Sequence, residues 1–138
     1  MPSILKNSLA VLLGIIIGGF LNGQIINLGP SIIPPPEGFD LTKMEDLKSA
    51  MHLMTPKHFI FPFLAHAVGS FIGGLIAALV AKNHKMKFAL AIGCVFLVGG
   101  IIMVIILPSP LWFTLLDLLV AYIPFAYFGG RLMTRKSK

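Results

Sequence analysis

Four apolar stretches, at residues 9–28, 58–81, 88–107 and 111–130, take up most of the chain. A hydrocarbon core of about 30 Å is crossed by roughly 20 helical residues rising 1.5 Å each, so every stretch is long enough to span a bilayer. With 57% hydrophobic and 12% charged residues, little polypeptide remains for a soluble unit. The expected fold is all-α: one integral membrane domain over residues 1–138, built as a four-helix bundle.

The charges orient the bundle. Lys6, Lys82, Lys85, Lys87, Arg131, Arg135, Lys136 and Lys138 flank the first span, the second loop and the last span, whereas only Lys43, Lys48 and Lys57 lie in the first loop. Eight against three places both termini and the 82–87 loop on the cytoplasmic side of a plasma membrane, a bacterial inner membrane or its equivalent. The bias also opposes a dual topology, which needs near-balanced charge. The net charge of +6 therefore reads as a topology signal that touches anionic lipid, and nucleic acid is not an expected partner. The first span is not a cleavable signal: its apolar run exceeds a signal peptide's, and Asn22-Gly23-Gln24 stands where small residues should mark cleavage.

Loop composition predicts local structure. In the outer loop, residues 29–56, Pro34-Pro35-Pro36 favours an extended polyproline conformation. A short amphipathic helix over residues 42–54 is expected after it, with Thr42 and Glu45 as a capping box and Met44, Leu47, Met51 and Met54 on one stripe. Thr55-Pro56 suits the start of the second span. The two later loops are tight, making successive spans antiparallel neighbours, with Trp112 an aromatic anchor at the outer interface. Small residues recur every fourth position at Gly14, Gly18 and Asn22, at Gly19, Gly23 and Asn27, and at Ala65, Gly69, Gly73 and Ala77. Such ladders let helix backbones approach closely, here within one chain.

Polar residues inside the spans mark the candidate site. Asn22, Gln24, His66 and Asp117 come from three spans and fall at similar depth, within roughly 6–12 Å of the outer boundary. A carboxylate at membrane depth is costly, so Asp117 is expected to face the bundle with His66 as its titratable partner. Asn22 and Gln24 would flank the pair, and Ser70, four residues after His66, would hydrogen-bond to it. The competing reading is that these groups only hold helices together, at about 1 kcal/mol each. Pro62 and Pro124 free the carbonyls of His58 and Val120 close to this level.

Other chemistry finds no support. His58 and His66 stand about 12 Å apart along a helix, and no metal-ligand spacing occurs, so neither a metal nor a cofactor is expected. Cys94 is single and reads as a small buried packer. No serine-hydrolase elbow, phosphate loop or dinucleotide fingerprint is present, and no residue set names a catalysed reaction. In size and span count the chain is similar to small multidrug exporters and fluoride channels, without their motifs. The expected role is an oligomeric transporter or channel-like protein for a small molecule or ion. The alternative is a subunit or assembly factor with a membrane-protein partner.

Overall fold

The computed structural model describes residues 1–135; Lys136 and Lys138 of the basic flank lie outside the described residues. Four helices long and apolar enough to cross a membrane form an all-α bundle. The first, α1 (Ser3–Ile32), continues beyond residue 28 through Pro30, and at 30 residues it measures about 45 Å, more than a bilayer core. A loop carries α2 (Met44–Ala50), extended by a 3₁₀ turn at Met51–Leu53. The second span opens with a 3₁₀ turn at Pro56–Phe59 and continues as α3 (Ile60–Val80). The third is α4 (Lys85–Ile106). The fourth is interrupted: α5 (Leu111–Leu116), a π turn at Asp117–Ala121, then α6 (Ile123–Arg135).

The centre of the bundle is α3, which packs α1 on one side and α4 and α6 on the other. Its buried positions are nearly all small: Ala65, Ala67, Gly69, Ser70, Gly73, Gly74, Ala77 and Ala78. Two of the expected ladders meet here. A Cβ on Gly18 would stand 2.5 Å from the Gly69 carbonyl oxygen, and one on Gly14 would stand 2.7 Å from that of Gly73. Backbone is thus in contact with backbone, and dispersion over the whole crossing takes the place of bulky side chains. On the opposite side Gly74 faces Ala126 and Gly129 faces Phe71, while Gly93 and Gly130 of the α4–α6 seam face Ala126 and Ala89. The third ladder does not pack: Cβ atoms on Gly19 and Gly23 would meet nothing, so this face of α1 is open.

These pairings run antiparallel, so the start of α1, the α3–α4 turn and the end of α6 share one end of the bundle. Asn7 ties that end together. Its amide nitrogen donates to Asn83 Oδ1 at 2.7 Å, and its oxygen accepts from the Lys82 backbone at 3.0 Å. His84 closes the turn with left-handed backbone at φ 48°.

At the opposite end, the expected capping box of α2 does not form. Thr42 lies one residue before the N-cap and instead donates its hydroxyl and amide to Asp40 Oδ1, at 2.6 and 3.0 Å. The same bonds hold the Asp40 carboxyl below its usual range. Helix α2 begins at Met44, with Lys43 at its N-cap. The start of α3 is anchored by His58, whose Nδ1 accepts from the Thr55 amide at 3.0 Å. Its Nε2 lies 3.1 Å from the Pro34 carbonyl, joining the proline run to the span. Trp112 lies edge-on to Phe59 at 5.5 Å and is 47% exposed. Cys94 departs from expectation: it lies on the exposed face of α4, because Ile92 and Gly93 take the inward positions.

Candidate functional site

The site begins with a break in a helix. Pro124 has no N–H to offer the Val120 carbonyl, and its ring would collide with that carbonyl in a regular α-helix. The chain widens into the π turn Asp117–Ala121, and α-helical bonding resumes where the Ala126 amide meets the Tyr122 carbonyl at 2.9 Å. Five residues of regular helix would set Asp117 and Tyr122 about 140° apart around the axis. The i→i+5 pattern of a π turn brings such positions back toward one face. The Tyr122 hydroxyl consequently donates to Asp117 Oδ2 at 3.1 Å.

His66 completes the cluster from α3. Its Nδ1 lies 2.8 Å from Asp117 Oδ1 and 2.9 Å from Oδ2, so the carboxylate straddles the ring nitrogen. The Tyr122 ring stacks on the imidazole, with centroids 5.2 Å apart and planes at 25°. Asp117 and Tyr122 are buried at 4% and 2% exposure, while the His66 side chain keeps 19%. Ala67 and Ala121 pack beside Tyr122, with Phe63, Phe96 and Phe125 around them. Gly100 on α4 leaves room for the tyrosine, since a Cβ there would stand 2.5 Å from the hydroxyl oxygen.

Were Asp117 ionised, its carboxylate could only accept, which would put the shared hydrogen on His66 Nδ1. Neutral imidazole would then have its lone pair on Nε2. That nitrogen has no hydrogen-bond partner among the described residues and belongs to the one member of the cluster that keeps exposure. The arrangement orients an imidazole through one nitrogen, as an aspartate orients a histidine in many active sites.

The remaining candidates lie apart. Asn22 packs its Cβ against Gly69 of α3, and its amide makes no hydrogen bond among the described residues. Gln24 is exposed. Residues two apart on a helix point about 200° from one another, so both could not face α3; equal depth is not a shared face. Ser70 is fully buried, yet it makes no bond to His66, and its hydroxyl has no partner among the described residues. Tyr122 escapes a sequence reading because five residues of regular α-helix would turn it away from Asp117. The signal that could have found it is Pro124, two residues on, which forbids regular helix at this point.

Comparison with models of known families, with characterised proteins and with solved structures gives no match. The site must be read on its own chemistry.

Proposed function

We propose that this chain is a small oligomeric membrane protein of transporter or channel-like type, in which His66 Nε2 receives and releases a proton in step with movement of an ion or small solute. The supporting observation is the unpartnered Nε2 of an imidazole whose Nδ1 is held by a buried carboxylate. Helix glue alone would be satisfied by amides or hydroxyls, whereas ionisable groups at membrane depth usually line proton and substrate paths. Asp117 fixes the tautomer and balances the imidazolium, and Tyr122 holds the carboxylate in register. The unpaired Ser70 hydroxyl, one helical turn further in, extends the polar line from His66. The charge bias supports an orientation with the basic end in the cytoplasm of a plasma membrane and the site toward the outer face. At least a dimer is needed, because the core of one bundle is filled by close-packed backbone. A second reading, a stabilising subunit of a larger membrane complex, is favoured by the aromatic packing around the cluster.

The test is proton flux into liposomes containing the full chain and an internal pH-sensitive dye, under an imposed pH gradient. Wild type should conduct, His66→Ala and Asp117→Asn should fall to the level of protein-free liposomes, and Tyr122→Phe should retain part of the flux. Helicity and particle size should be unchanged in all three. Flux that survives His66→Ala rules out His66 as the proton carrier, wild type at the level of protein-free liposomes removes the transport reading, and substitutions that only loosen the fold support the subunit reading.

A further inference from the structure

We infer that the groove between the start of α4 and the end of α6 is a binding site for the phosphate head group of an anionic lipid. The groove has a volume of about 430 Å³ and is lined by Met86, Tyr127, Arg131, Thr134 and Arg135. Residues four apart lie one turn above each other, so the two arginines share one face of α6.

Arg131 is oriented before any ligand arrives. Its Nη1 donates to the Tyr127 hydroxyl at 3.1 Å, and the guanidinium carbon stands 5.9 Å above the same ring. One N–H of the fork is thereby used and the others stay free, and the planar fork matches phosphate oxygens in pairs. Among the described residues no Asp or Glu side chain competes for it. Glu37, Asp40, Glu45 and Asp46 all belong to the loop at the opposite end of the bundle, and Asp117 is engaged by His66 and Tyr122. This end carries Lys6, Lys82, Lys85 and Lys87 as well as the arginines, with no Asp or Glu side chain among the described residues to balance them.

The setting selects a lipid as the source of the phosphate. The groove lies where two membrane-spanning helices end, and Phe128 and Leu132 of α6 are about half exposed beside it. A free phosphate gains nothing from such a wall, whereas acyl chains attached to a bound head group can lie along it. Basic pockets between helix ends at the membrane surface are suited to acidic phospholipids.

Native mass spectrometry of the full chain from mixed phosphatidylcholine and phosphatidylglycerol nanodiscs tests the assignment. Wild type should retain phosphatidylglycerol in preference to phosphatidylcholine. The R131Q/R135Q double variant should lose that preference by roughly 30-fold, as two charges near a membrane surface contribute. K6Q/K82Q, with the same charge removed from the same end, should retain it. The charge-preserving R131K/R135K pair should fall between wild type and R131Q/R135Q, because lysine lacks the fork. Equal losses in R131Q/R135Q and K6Q/K82Q would reduce the site to diffuse surface charge and overturn it. Displacement of the lipid by an equal concentration of inorganic phosphate would also overturn it, as the signature of a free-anion site.

Discussion

His66 and His58 are two imidazoles on one span with opposite wiring. His66 presents Nδ1 to a carboxylate and leaves Nε2 unused, whereas His58 accepts at Nδ1 and therefore donates from Nε2 to the Pro34 carbonyl. One is bound on both nitrogens and serves as a structural clasp; the other has a nitrogen to spare. His84 makes a different point about single residues, since it holds a left-handed backbone that a non-glycine residue adopts at roughly 1 kcal/mol or more. His84→Gly should therefore raise the unfolding free energy by up to about 1 kcal/mol, less the entropy that glycine adds to the unfolded chain. His84→Ala should not. Thermal unfolding in detergent micelles reads both, and a destabilised glycine variant would mean that the imidazole itself secures the turn.

At the scale of the element, the fourth span depends on its interruption. Proline in the interior of an ordinary helix costs about 3 kcal/mol, so Pro124→Ala would ordinarily stabilise. Here the opposite is expected. A regular helix through residues 117–124 would turn α6 by about 100° relative to α5. That rotation would carry Tyr122 away from Asp117 and Gly129 away from Phe71. Pro124→Ala should lower the melting temperature and quench proton flux together. A higher melting temperature with normal flux would show that the wide turn is incidental to the site.

The whole molecule is assembled from close backbone crossings centred on α3, and α1 is held chiefly by that one neighbour. Neighbouring glycines of α1 therefore have opposite tolerance. Gly18→Val would push Cβ into the Gly69 carbonyl and the Phe96 ring, whereas Gly19→Val meets open space. The first should cost about 1–3 kcal/mol, the usual range for overpacking, and release α1 from the bundle. The second should leave a monomer's stability unchanged. Protease sensitivity of the α1–α3 loop and thermal unfolding measure the contrast. If Gly19→Val instead dissociates an oligomer, the open ladder is the contact between copies.

Much of this architecture was legible in the residue order. Length and hydropathy determine four spans because a bilayer tolerates only hydrogen-bonded backbone of a set length. Proline and threonine punctuation placed the start of the second span, and the cost of a buried charge picked out Asp117 and His66. Depth along a helix follows from counting residues, but azimuth depends on the exact winding. Only the tertiary structure could separate Asn22 and Gln24 from the pair, or bring Tyr122 to it through a π turn. The link from Asn7 to the α3–α4 turn spans 75 residues and leaves no local pattern, so it too was invisible. Sequence determined which groups must avoid lipid, since that is a property of each side chain. Which groups shelter one another was decided by helix phase and close approach, which exist only once the chain is packed.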